Sequence, residues 1–353
     1  MNIVLIISGS IAEFDAIMFH IPDMKEDNKP MIELPKIRKP HQHYVMFYME
    51  SPSHNSFPFN EFNNFFNWTM TYKRTSDFFR PYGWVAPKDW KWHYPASTLP
   101  NLDWYQQYNY SLKSQNFVTK TEKKKKPVAW LVSHCHTHSQ REHYVEKLSK
   151  YIHVDIIGHC RNNSYCPSEE KCSEYIQEEY MFYLSFENSV CNDYVTEKFW
   201  NYLQGKLVPI VLGGADYAKI APPHSFINAL DYLDPKDLAE YLNYLISNQT
   251  AYNEYFWWKP YYTVYKDEPK NFARAMCQMC EALNDPIKKT SVYENISDWW
   301  INQGECQEKF PWTQPVYKYN WFVLDDFKDF VHDSTHLVFK NFFGTLRDAN
   351  VIV

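Results

Sequence analysis

The apolar positions of the chain follow two patterns that alternate. Short runs rich in β-branched and aromatic residues occupy 14–20, 44–49, 128–132, 154–158, 181–186 and 207–212, and each predicts a buried strand. A shorter run at 3–7 predicts one more. Between the later runs the spacing becomes helical. Tyr144, Val145, Leu148 and Tyr151 mark one helix over 140–151, and Val195, Phe199, Tyr202 and Leu203 mark another over 194–204. Asp193 is the expected N-cap of the second helix and Gly205 its expected stop. Residues 238–246, after Asp234-Pro235, predict a third helix.

Strand, helix and strand follow one another twice, each time within roughly 30 residues, which is the parallel crossover unit. That alternation predicts an α/β fold with open parallel sheets, whose ligands bind at the carboxyl ends of the strands. The polar stretch 113–126 reads as a linker between a first domain, 1–112, and a second, 127–306. The aromatic-rich stretch 57–68 has no clean period, and 307–353 carries no legible motif.

A length of 353 residues suffices for two such domains. With only 8 glycines in the chain, glycine-rich phosphate loops are not available, so side chains and helix ends must hold any phosphate. A net charge of −6 excludes the basic field of a general nucleic-acid binder, and the four lysines at 123–126 read as solvated linker. The eight cysteines (135, 160, 166, 172, 191, 277, 280 and 306) fit disulfides in an oxidising lumen. Sequons at Asn67, Asn109, Asn162, Asn248 and Asn295 point the same way, to the secretory pathway. No stretch of about 20 apolar residues predicts a membrane span. A luminal protein needs an entry signal, so an N-terminal anchor is expected to be missing from this form of the chain.

Candidate chemistry is densest around 182–213. A predicted strand ends at Glu187-Asn188, and a short loop leads to Tyr194 and a helix whose first turn holds Glu197 and Lys198. Lys198 there opposes the helix dipole, a conflict that a bound anion would relieve; the spacing leaves a plain surface lysine equally open. Arg141 repeats the arrangement in the preceding unit and, taken alone, reads as a surface arginine. Together the two cations would clamp a diphosphate. Glu50 ends a strand of the first domain; facing the cations it would serve as a general base, and on its own it reads as a turn cap. His134, Cys135, His136, His138 and His143 offer zinc-binding side chains, so a zinc hydrolase is a competing function class. Cys277-x-x-Cys280 has ligand spacing too, but in an oxidising lumen it reads as a disulfide. The chain has no Asp-x-Asp to hold a divalent ion on a diphosphate, which favours cationic side chains for that role.

Several of these segments together resemble the α1,3-fucosyltransferases of glycosyltransferase family 10. FYLSFENS at 182–189, DYVTEKFW at 193–200, VPIVLG at 208–213 and Pro222-Pro223-His224-Ser225-Phe226-Ile227 resemble the family's donor-site signature, in order. Phe47-Tyr48-Met49-Glu50-Ser51-Pro52-Ser53-His54 resembles its acceptor-side motif, and 66–72 through Pro81-Tyr82-Gly83 resembles the segment that follows. The resemblance implies a GT-B architecture of two facing Rossmann-like domains. It implies Glu50 as catalytic base, Arg141 and Lys198 as diphosphate contacts, and Asn188, Tyr194 and Glu197 as further donor contacts. It implies transfer of L-fucose from GDP-fucose to a GlcNAc of a glycan, with inversion, in the Golgi lumen, with no nucleic-acid partner and no obligatory metal or cofactor. Family members also carry a cytoplasmic tail, a membrane span and a stem. A non-catalytic glycan- or nucleotide-binding protein on the same fold is the alternative that a truncated first domain would favour.

Overall fold

The structure is a computed structural model, and it describes residues 14–24, 34–35, 37–54, 57–90, 124–160, 169–232, 234–266, 268–285, 291–310 and 312. The β-rich runs of the first segment form β1 (Ala16–His20), β2 (His43–Tyr48), β3 (Trp68–Thr71) and β4 (Phe78–Phe79). They lie side by side in that order, all parallel, so each must be reached by a crossover. A fifth strand, β5 (Trp84–Pro87), stands apart from this sheet.

The second sheet is also parallel. Its strands are β6 (Lys126–Leu131), β7 (Val154–Ile157), β8 (Tyr180–Phe186), β9 (Val208–Leu212) and β10 (Ile227–Asn228), in the order β10-β9-β8-β6-β7. Every residue of the central strand β8 is buried, as a strand covered by helices on both faces requires. The crossovers include α1 (Arg141–Leu148), α2 (Glu169–Glu179), α3 (Glu197–Leu203) and the short α4 (Tyr217–Ile220). Tyr144, Val145 and Leu148 of α1 and Phe199, Tyr202 and Leu203 of α3 are buried, as their spacing predicted. Two facing parallel-sheet units are the architecture expected for GT-B.

The chain then returns to the first sheet. After α5 (Pro235–Ser247) and α6 (Gln249–Glu254), β11 (Tyr262–Tyr265) pairs antiparallel with β5. Next, α7 (Glu268–Asn284) packs Ala275, Met279 and Ala282 against Val45, Trp68, Met70 and Phe78 of the first sheet. Then α8 (Ile296–Trp300) adds Ile296, Trp299 and Trp300 to the first domain's aromatic core. The helices α7 and α8 thus pack with the first sheet, although the sequence reading kept this part of the chain with the second. Further along, Phe310 and Trp312 join the core of the second sheet, and the Trp312 indole N–H donates to the Gln140 carbonyl.

Four local expectations are corrected. Asp193 does not cap α3: its φ is 60°, in the left-handed region, and its carboxylate accepts from the Arg74 backbone N–H at 3.0 Å. The helix starts later, with Thr196 as the preceding residue. Cys277 and Cys280 both lie on α7 and are free rather than bonded to each other. Asn67 is buried with its amide donating to the Ser291 carbonyl and accepting from Tyr44 N–H, so the fold does not present it as a glycosylation acceptor. Lys126, assigned to a solvated linker, opens β6 instead and donates to the hydroxyls of Tyr175 and Tyr180. Asn248 and Asn295 cap helices through their Oδ1 atoms. The 3–7 run and the sequons at Asn109 and Asn162 lie outside the described residues. No helix among the described residues is long and apolar enough to cross a membrane.

Candidate active site

Both sheets deliver their strand ends to one cleft. Glu50 follows β2 by two residues and is exposed. Its backbone neighbour is braced from the side, since the Tyr82 hydroxyl donates to the Met49 carbonyl at 2.7 Å. From the other domain, the loop between β8 and α3 brings Tyr194, whose hydroxyl donates to Glu50 Oε2 at 3.2 Å. The same two loops meet again where the Ser51 hydroxyl donates to the Ser189 hydroxyl at 2.7 Å. A cavity of about 330 Å3 lies between them, lined by Tyr48, Glu50 and His54 from the first domain and His134 and Asn188 from the second. Asn188 Oδ1 is buried, with no hydrogen-bond partner among the described residues, so it is an acceptor awaiting a donor.

The end of β8 organises both cations. Arg141, the first residue of α1, is only 3% exposed and donates to the carbonyls of Phe186 and His134. It is no surface arginine. Burial lowers its pKa, and Glu187 is the foremost of the groups that oppose this. Lys198, the second residue of α3, donates to the Thr196 hydroxyl at 2.9 Å and lies 3.1 Å from Glu197 and 3.6 Å from Glu187. Burial works against its charge, but the two carboxylates outweigh that and hold the ammonium above its ordinary value. The conflict with the helix start is therefore relieved by carboxylates already in the protein. Arg141, Glu197 and Lys198 line neither this cavity nor its neighbour.

The histidine-rich loop after β6 is tied down. Cys135 is bonded to Cys160, the Thr137 N–H and hydroxyl donate to Glu142, and the Ser139 hydroxyl donates to the Glu187 carbonyl. Cys135 is thus taken from any zinc site, and no group of three metal-binding side chains forms among the described residues. The loop borders a second cavity of about 410 Å3, joined to the first through His54, whose ring meets His138 at 5.0 Å. Burial lowers the His54 pKa, with Glu50 opposing. The sequence reading missed both His54 and the pairing of Glu187. His54 stands in the acceptor-side motif, but no periodicity separates it from a turn residue.

The description "Glycosyltransferase family 10 (fucosyltransferase) C-term" matches residues 121–299, and "Fucosyltransferase, N-terminal" matches 6–83. The chain belongs to glycosyltransferase family 10. It is 36% identical over 308 residues to alpha-(1,3)-fucosyltransferase C of Drosophila melanogaster, covering 84% of this chain and 67% of that one. It is 34% identical over 300 residues to glycoprotein 3-alpha-L-fucosyltransferase A of the same fly, covering 82% of this chain and 52% of that one. A bovine 3-galactosyl-N-acetylglucosaminide 4-alpha-L-fucosyltransferase is 36% identical over 292 residues, with 81% and 70% covered. The chain thus spans between about half and about 70% of these relatives. A solved structure of an α1,3-fucosyltransferase with GDP-fucose aligns at a TM-score of 0.44 and 17% identity, covering 70% of this chain and 79% of that one.

Proposed function

We propose that this family 10 member transfers L-fucose from GDP-fucose to a GlcNAc hydroxyl of a glycan in α1,3 linkage, with inversion at the anomeric carbon. The observation that carries the reading is the cavity between Glu50 and Asn188, because it brings a free carboxylate of one domain to the strand end that organises two cations in the other. In a single displacement the acceptor oxygen forms a bond to the fucose anomeric carbon while the bond to the diphosphate oxygen breaks. Glu50 takes the hydroxyl proton, and GDP leaves with the bonding electron pair. Arg141 and Lys198 stabilise the negative charge that develops on the departing diphosphate, and Asn188 and Glu197 contribute to donor binding. The names of the relatives include both 3- and 4-linked transfer, so linkage and acceptor need a direct test.

The test is a panel of core-GlcNAc and antenna acceptors offered with GDP-fucose, with product linkage read by NMR. A 3-linked α-fucoside on at least one GlcNAc acceptor is expected. GDP-fucose binding with no transfer to any acceptor would support a binding protein instead. Transfer is expected to continue in a chelator, since cations of the chain itself hold the diphosphate; full loss restored by manganese contradicts that role. The Cys135–Cys160 and Cys191–Cys306 disulfides and the relatives' family fit work in the Golgi lumen.

A further inference from the structure

Glu187 has no role in the scheme above, yet it is the most completely enclosed carboxylate near the site. It stands at the end of β8 with no exposed surface. Burying a carboxylate costs several kcal/mol unless its partners repay it. Three contacts offset part of that cost, hydrogen bonds from the Thr196 backbone N–H and hydroxyl, each at 2.8 Å, and an ion pair with the Lys198 ammonium at 3.6 Å, although burial still holds the carboxyl above its ordinary pKa. Its own carbonyl is fixed from the opposite side by the Ser139 hydroxyl at 2.7 Å, two residues before Arg141. The carbonyl just before it, that of Phe186, holds the Arg141 guanidinium. One strand end therefore sets the position of both cations.

The two carboxylates on Lys198 differ. The Glu197 side chain is half exposed, so water or an incoming phosphate can take its place on the ammonium. Glu187 is walled in and held by Thr196, so its contact stays. A neutral group would suffice to accept from Thr196 alone. What a negative charge adds at this point is a fixed anchor for the lysine.

We infer that Glu187 is a positioning residue for the donor, holding the Lys198 ammonium and the start of α3 in register with Arg141 without touching the donor itself. The inference rests on the reading of Lys198 as a diphosphate contact. Glu187 has no exposed surface that an acceptor hydroxyl could reach, so it does not act as the base.

A double-mutant cycle in the intact chain tests this, with GDP-fucose kinetics and thermal unfolding measured for Glu187→Gln, Lys198→Ala and the pair. Glu187→Gln is expected to lower kcat/KM for GDP-fucose about tenfold, with unfolding near wild type. Lys198→Ala is expected to lower kcat/KM by at least as much. In the Lys198→Ala background, Glu187→Gln is expected to add less than about twofold, because its effect runs through the lysine. Equal fold-changes in both backgrounds overturn the inference, as does a normal kcat/KM in Glu187→Gln beside a lowered one in Lys198→Ala. A normal kcat/KM in Lys198→Ala overturns the diphosphate reading and this inference together. Should the glutamine variant not fold, Glu187→Asp keeps the charge but draws it back; a lowered kcat/KM whose effect vanishes without Lys198 supports the inference, and an unchanged kcat/KM overturns it.

Discussion

Tyr194 illustrates how much a single side chain changes once its partner is known. The motif resemblance makes it a donor contact, and it does sit in the donor domain's loop. Its hydroxyl, however, donates to Glu50, the proposed base, on the other side of the cleft. Burial, with the nearby Tyr82, Glu187 and Glu50, raises its pKa far above the ordinary phenol value, so it remains a hydrogen-bond donor at working pH. A hydrogen bond to a charged group contributes about 1.5–3 kcal/mol, so Tyr194→Phe is expected to lower kcat about tenfold while KM for GDP-fucose stays within about twofold. Steady-state kinetics with the donor varied decide the matter. A raised KM with kcat unchanged would return Tyr194 to the donor. Glu50, Arg141 and Lys198 were legible as candidates from their places at predicted strand and helix ends. The Tyr194–Glu50 bond was not, because it joins residues 144 positions apart and no local pattern records it.

Elements with a clear period were read well, and those without one were not. The β8–α3–β9 unit announced itself through a continuous apolar strand followed by a helical stripe. The start of α3 was misjudged because Asp193, a good cap by type, adopts a left-handed backbone and turns its carboxylate to Arg74. The stretch 57–68 defied assignment for a different reason. Phe57, Phe59, Phe62 and Phe66 are all buried, but they line the core from turns and a single 3-10 segment, Phe59–Phe62, so no repeat of two or 3.6 exists to detect. Gly83 shows a constraint between elements. A Cβ added there would come within 2.5 Å of the Trp200 ring on α3, so the segment before β5 fits against the donor helix only as glycine. Overpacking of this kind costs about 1–3 kcal/mol. Gly83→Ala is expected to lower the unfolding temperature by several degrees, at about 2–4 °C per kcal/mol, in a thermal melt. An unchanged melt would mean that the contact relaxes freely.

At the scale of the whole molecule the two sheets are joined by more than a linker. The β5–β11 pair and the return of α7 and α8 to the first sheet bind the late chain to the early chain, and the Cys191–Cys306 disulfide ties residue 306 to the loop after β8. The expected boundary at 113–126 gave no sign of this return, because helix-to-sheet packing leaves no mark on the local sequence. The consequence for function is that Glu50 faces the end of β8 across a braced cleft. A base acts only as the acceptor hydroxyl attacks, whereas the proposed nucleotide contacts all lie on the other side of the cleft. Glu50→Gln preserves the size of the side chain and its bond from Tyr194, and removes only the negative charge. Loss of a general base costs about 10²–10⁴-fold in rate. Measuring turnover and GDP affinity together in Glu50→Gln tests the account most directly: turnover is expected to fall at least about a hundredfold with GDP affinity near normal, and normal turnover on a good acceptor in a folded variant would contradict it.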